Sequence, residues 1–143
     1  MKANFRARVW PIVVLILGFC TASCAQHLRP IPESEYSTKI VGRWEGTVGD
    51  SKENMSLNGD GTFVCELHST GFIARTFSPG VSGTIRGTWK ITGAVITLRV
   101  TSAEKENLRN RTTSSTIETF KGDELLLRSD RGETSPFERV RAL

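Results

Sequence analysis

Cysteine, histidine and tyrosine are scarce in this chain of 143 residues, with three, two and one copies respectively. Cys20 and Cys24 lie near the N-terminus and leave Cys65 alone in the body of the chain. There is no CxxC, no HxH and no cluster of carboxylates, so no metal site is expected. No G-x-S-x-G surrounds a serine, and His68 is the only histidine outside the N-terminal segment. Acid–base and nucleophilic catalysis therefore lack their groups, and the chain does not read as an enzyme or as a holder of a cofactor. No apolar run is long enough to cross a bilayer. The run Val9 to Cys20 holds 12 residues, where a span needs about 20. Excess charge is small as well. The 19 basic and 15 acidic residues give +4, and without Lys2, Arg6 and Arg8 of the N-terminal stretch 16 basic residues stand against 15 acidic ones. Such a balance gives no support to nucleic-acid binding.

What is present begins with a targeting segment. Met1 to Arg8 is a positive n-region, the apolar run follows, and Thr21-Ala22-Ser23-Cys24-Ala25 are small residues. This is the layout of a secretory signal over residues 1–23. Signal peptidase could cut before Gln26. Alternatively, Thr21-Ala22-Ser23-Cys24 resembles the lipobox of bacterial lipoproteins, in which the Cys thiol receives diacylglycerol and becomes the first residue. Thr21 departs from the usual leucine, and Cys20 is a poorer candidate because bulky Phe19 precedes it. Residues 24–39, with Pro30, Pro32, Glu33 and Glu35, read as a semi-extended tether with little to bury. A tether favours lipidation of Cys24. The expected location is then the bacterial envelope, anchored in the outer membrane and facing the periplasm, with a soluble periplasmic or secreted protein as the alternative. With Cys20 removed and Cys24 acylated, Cys65 has no disulfide partner, and the domain over residues 40–143 must hold together by its core.

That domain reads as short antiparallel strands with turn punctuation. Ile40 to Val48 places Ile40, Gly42, Trp44, Gly46 and Val48 on one face. Glu53 to Asn58 turns Met55 and Leu57 inward. Asn58-Gly59-Asp60-Gly61 is a hairpin turn, because Gly, Asn and Asp tolerate positive φ. Thr62 to His68 follows, with Phe63, Cys65 and Leu67 inward. Phe72 to Phe77 reads as a weaker strand. Thr84 to Ile91 and Val95 to Thr101 form a hairpin across Thr92-Gly93. Ala103 to Arg111, with its single leucine, reads as a solvated loop or one loose turn. Thr113 to Phe120, Glu124 to Ser129 and Glu133 to Arg141 complete eight or nine strands. A meander of this kind closes as an antiparallel up-and-down β-barrel or packs as a sandwich.

Gly42-Arg43-Trp44 resembles the G-x-W motif of lipocalins and related calycins. The resemblance implies that Trp44 closes one end of a barrel and that an arginine of the last strand packs across it. Arg139 is the first choice for that arginine and Arg141 the second. Asn58-Gly59-Asp60-Gly61-Thr62-Phe63, then Gly87-Thr88-Trp89-Lys90-Ile91 with Ile96-Thr97-Leu98, are similar to hairpins of small bacterial lipocalin-like domains. Leu125, Leu127, Phe137 and Arg139 fit their closing strands. The likeness runs from about Ile40 to Arg141. A T-D-Y element is missing after the sixth strand, which speaks against a large-cavity carrier.

Among residues that could carry chemistry, Cys65 reads as a small buried hydrophobe, and alternation turns His68 away from it. Asp60 and Thr62 could touch calcium, but turn chemistry accounts for both. Arg43, Arg75, Arg86, Lys90 and Arg99, interspersed with Glu45, Glu66 and Glu118, read as a mixed solvated wall. Two glycosylation sequons, at Asn54 and Asn110, read as chance. The interior remains, with Trp44, Phe63, Trp89 and Leu98 as the residues expected to line a ligand space. An eight-stranded barrel is either filled or holds one small ligand. The expectation is a membrane-tethered binding module for a small apolar or amphipathic ligand. The alternative is a filled barrel that acts on an envelope protein as an interaction or inhibitor module.

Overall fold

Alternation is the local rule that builds the sheet. Met55 and Leu57, Phe63 and Cys65, Ile96 and Leu98, and Leu125 and Leu127 are all buried, while the residues between them are half-buried or exposed. The computed structural model describes residues 29–48 and 51–141, so the signal segment, Cys20, Cys24 and His27 lie outside the described residues. Eight strands form: β1 (Gly42–Val48), β2 (Ser51–Leu57), β3 (Thr62–Leu67), β4 (Gly83–Thr92), β5 (Val95–Ala103), β6 (Thr112–Lys121), β7 (Glu124–Ser129) and β8 (Thr134–Arg139). Each pairs antiparallel with the next, and β8 returns to β1, closing the barrel. Closure leaves no long unpaired edge for another chain to extend. The β2–β3 hairpin is held by its own side chains. Asp60 Oδ1 accepts from the Thr62 amide at 2.9 Å and from Thr62 Oγ1 at 2.6 Å. Asn58 Nδ2 donates to Thr62 Oγ1 at 2.9 Å.

Two segments correct the sequence reading. Phe72–Phe77 is a short helix, α2. A strand there would need a ladder partner, and β3 and β4 pair directly with each other on either side of it. The apolar positions Ile73, Ala74 and Phe77 fall on one helical face, and all are buried together with Phe72. The expected weaker strand was the ninth, so the count is eight. The supposed tether also ends early. Glu33–Glu35 form one 3-10 turn and Tyr36–Lys39 a single helical turn, α1. Tyr36 and Ile40 are buried, and the Ile31 amide donates to the Phe120 carbonyl at 2.8 Å. Their apolar side chains outweigh the local polar composition, so the folded unit begins near Ile31. Within the polar segment before β6, Glu106–Leu108 is a 3-10 turn that buries Leu108.

These segments plug the barrel from opposite ends. The N-terminal segment, the β2–β3 and β4–β5 turns and the C-terminus share one end. The β3–β4 connection with α2, the β5–β6 turn and the β7–β8 turn share the other, as follows from an antiparallel meander. Between them lies one core containing Trp44, Phe63, Phe72, Phe120 and Phe137, each fully buried.

Candidate functional site

At the N-terminal end, β1 opens on Gly42, whose φ is +144°. L side chains rarely adopt that conformation, and a Cβ there would run into Arg139 Nη1. Two residues on, Trp44 points inward and is fully buried, with its Nε1 donating to the Ile40 carbonyl at 2.8 Å. Register places Trp44 opposite Arg139 of β8. The Arg139 guanidinium carbon lies 4.3 Å from the Trp44 ring centroid. Its Nη1 donates to the Val41 carbonyl at 2.7 Å and its Nη2 to the Lys39 carbonyl at 2.5 Å. Its Nε lies 3.3 Å from Asp123 Oδ1. One cation thus covers the indole, ties down the chain entering β1 and meets the β6–β7 turn. Arg141 is turned away and donates from Nε to Asp123 Oδ2 at 2.9 Å. Phe120 stands edge-on to the indole at 5.8 Å, and Tyr36 lies 5.6 Å from Phe120. An eight-stranded antiparallel meander whose first and last strands are joined by an arginine over a buried tryptophan is the arrangement that the resemblance to lipocalins implies. The domain is a lipocalin-like barrel.

No protein-family model matches the chain, and no curated protein matches it. Among solved structures, it is similar to a lipocalin-like protein from Bacteroides uniformis, at 14% identity and a TM-score of 0.47, covering 71% of this chain and 99% of that one. It is also similar to an uncharacterised protein from Bacteroides eggerthii, at 15% identity and a TM-score of 0.45, covering 70% and 98%.

The opposite mouth of the lipocalin-like barrel is closed by α2, and the closure centres on Glu53. Glu53 has the same strand parity as Met55 and Leu57, so its carboxylate points into the barrel and is buried. Its Oε2 accepts from the Ile73 amide at 2.8 Å and its Oε1 from the Ala74 amide at 3.0 Å. A six-residue helix has no cap of its own here, since Gly71 provides no side chain, and the carboxylate from β2 satisfies amides that would otherwise be buried without acceptors. Burial pushes the Glu53 carboxyl above the usual range. The two amides and the Arg75 charge oppose that shift without cancelling it. Arg75 Nη2 reaches Glu133 on the β7–β8 turn at 3.3 Å. Phe72 meets Phe137 edge-on at 6.1 Å. Ser135 Oγ and Arg75 Nε are buried with no hydrogen-bond partner among the described residues.

Of the residues expected to line a ligand space, Trp44, Phe63 and Leu98 are buried core side chains. Trp89 is half-buried near the N-terminal end, packed on the core, with its Nε1 donating to the Asn58 carbonyl at 3.0 Å. Cys65 is buried and His68 exposed. Burial raises the Cys65 thiol pKa well above its ordinary value, with Glu53 and then Glu66 adding to the shift. Glu53 is the residue that sequence reasoning missed. Its signal was its parity: an acid two residues before Met55 and four before Leu57, on the inward face of a strand.

Proposed function

We propose that this chain is an exported, lipid-anchored binding module whose lipocalin-like barrel takes a small amphipathic ligand at the α2 end. The observation that carries this reading is the makeup of that mouth. Its plug is a helix of six residues attached by Glu53 and by the apolar side chains Phe72, Ile73 and Phe77. Displacing the plug would uncover apolar barrel interior beside a few polar groups, Glu53, Ser135 and Arg75. An apolar surface with a small number of polar groups suits a ligand with an apolar body and a polar head. The anchor is Cys24, for which Thr21-Ala22-Ser23-Cys24 is the support. Because the folded unit begins near Ile31, residues 25–30 give a spacer of at most about 20 Å, which holds the barrel close to the membrane. An outer-membrane site facing the periplasm follows from Ala25, since an Asp after the Cys is the usual signal for retention in the inner membrane.

The filled-barrel reading has its own support: Trp44, Phe63, Phe120 and Phe137 are each no more than 1% exposed. On that reading the protein acts through its outer surface on an envelope partner. Native mass spectrometry of the protein purified from envelopes in mild detergent separates the two. A lipid-sized adduct beyond the covalent anchor supports the ligand carrier. A co-purifying protein with no such adduct supports the interaction module. Radiolabelled acyl chains should label the wild type and not Cys24→Ser, and a mature protein beginning at Gln26 would remove the anchor from the reading.

A further inference from the structure

The outer wall made by β4, β5 and the first half of β6 carries cations without acids. Outward positions are Arg86, Thr88 and Lys90 on β4, Thr97, Arg99 and Thr101 on β5, and Thr112 and Ser114 on β6. Neither Gly83–Thr92 nor Val95–Ala103 contains an Asp or Glu. Arg99 stands opposite Thr88 on one side and Thr112 on the other, and Thr97 stands between Lys90 and Ser114. A groove of about 330 Å³ runs among Thr88, Lys90, Thr97, Arg99 and Thr112.

Elsewhere on the barrel, several outward cations stand beside acids. Lys52 pairs with Glu45 at 2.8 Å, Arg128 pairs with Glu118, and Arg75 pairs with Glu133. Arg86, Lys90 and Arg99 enter no ion pair among the described residues. Acids stand at the rim, with Glu33 beside Gly93 of the β4–β5 turn. Glu66 on β3 lies opposite Thr84 and accepts from Asn54 Nδ2 at 3.3 Å, and Glu104 shares a recess with Arg86. Lys90 and Arg99 therefore form the centre of the patch and Arg86 its edge. Arg86 and Lys90 are four residues apart on one strand, about 13 Å, and Arg99 is on the next strand about 5 Å across. Cations on adjoining strands gain nothing for the fold from one another, so their charge is available to something outside the barrel.

The geometry points to a binding face for an acidic polysaccharide, whose anionic groups meet Lys90, Arg99 and Arg86 and whose hydroxyls meet the threonines. Charge-assisted bonds to carboxylate or sulfate supply attraction, and hydroxyl side chains can both donate to and accept from a sugar. Trp89 is the only aromatic on β4 and β5. It borders the groove, but its ring packs on the core and its Nε1 is engaged by Asn58. A single-stranded nucleic acid would want exposed rings to stack on. A membrane would want an apolar anchor, and Val95 is the only large hydrophobic exposed on these strands. This face lies outside the barrel and is independent of any ligand within it.

The test is fluorescence anisotropy of a labelled oligogalacturonate with the full-length protein in neutral detergent at low salt. Binding that weakens as salt rises is expected, with no binding of neutral dextran. Lys90→Gln with Arg99→Gln should weaken it about tenfold. Lys52→Gln with Arg128→Gln removes the same charge from other walls and should change it less than about twofold. Circular dichroism checks that both double variants are folded. Absence of oligogalacturonate binding, equal losses in the two double variants, or tighter binding of single-stranded DNA or anionic vesicles would each overturn the proposal.

Discussion

Arg139 covers Trp44 while bonding to the backbone that leads into it. Its guanidinium carbon is 4.3 Å from the indole centroid, and the same group donates to the carbonyls of Lys39 and Val41. Two effects are therefore combined in one side chain, and a double-mutant cycle separates them. Arg139→Ala removes both the cation over the ring and the ties to the carbonyls. In a Trp44→Phe background the carbonyl ties are still lost, but much of the attraction to the indole face is already gone. The expected coupling is about 0.5–2 kcal/mol, toward the upper end because the site is shielded from water. Urea unfolding of the four proteins measures it. Additive effects within error would mean that Arg139 holds the chain ends and gains nothing from the ring.

Glu53 gives the stability a definite pH dependence. Its folded-state pKa lies above the ordinary value of 4.5 because burial penalises the ion. The native state then binds more protons than the unfolded state between those two values. Stability from this group is present in full below about 4.5 and is lost as pH rises through the folded-state pKa. Glu53→Gln removes the titration and keeps one oxygen to accept from Ile73 or Ala74. Urea midpoints from about pH 4 to pH 8 should fall less steeply in the variant than in the wild type. The slope is the readout, since the amide also loses one acceptor and lowers stability throughout. Parallel profiles would show that the carboxylate is stabilised by its amides as much as burial disfavours it.

The strands were legible in the sequence because each carries its own signal. Alternation at Phe63, Cys65 and Leu67 and the side-chain chemistry of Asn58 to Thr62 are local, and they act over two to five residues. The facing of Trp44 and Arg139 was legible through the resemblance to lipocalins, and a closed meander, which brings the first and last strands together, is its physical reason. What escaped depended on distant partners. α2 has no capping side chain of its own, and the acceptors for its amides come from Glu53 on another strand. Tyr36 is held by Phe120, far along the chain. Composition made its surroundings look like a tether, and only the barrel end gives that ring somewhere to go. The wall of Arg86, Lys90 and Arg99 escaped for a related reason. The acid-free run from Leu67 to Ala103 can be read in linear order, but only the strand pairing shows that the three cations share one wall.

Cys65 should behave as a core residue and not as a nucleophile. It is fully buried, opposite Met55 and Ile85 in register, and burial holds its thiol pKa well above the ordinary value. Reaction with a small thiol reagent in native buffer should be slow and should speed up with denaturant as the barrel unfolds. Cys65→Ser should cost about 1–3 kcal/mol, because the hydroxyl must be buried without an arranged partner. Rapid labelling of the native protein would show that this part of the barrel opens without global unfolding.

Gly46 connects the β1–β8 seam to the α2 plug, and a single methyl group tests the connection. Gly46 is opposite Phe137, and a Cβ there would lie 2.5 Å from Cε1 of that ring and 2.8 Å from Cζ. The ring has little room to retreat, because its other side meets Phe72 of α2 edge-on. Gly46→Ala should therefore cost about 1–3 kcal/mol by overpacking. Part of the strain should pass through Phe137 and Phe72 to α2, so the Ile73 and Ala74 amides should exchange with solvent faster than in the wild type. Phe137→Leu provides the control. It is destabilising alone because it removes ring contacts in the core, but it makes space for the new methyl. The double variant should be more stable than the sum of the two single changes implies, and exchange at Ile73 and Ala74 should slow again. If Gly46→Ala lowers stability without changing exchange at those two amides, the strain is absorbed within β1 and β8, and the plug is mechanically separate from the seam.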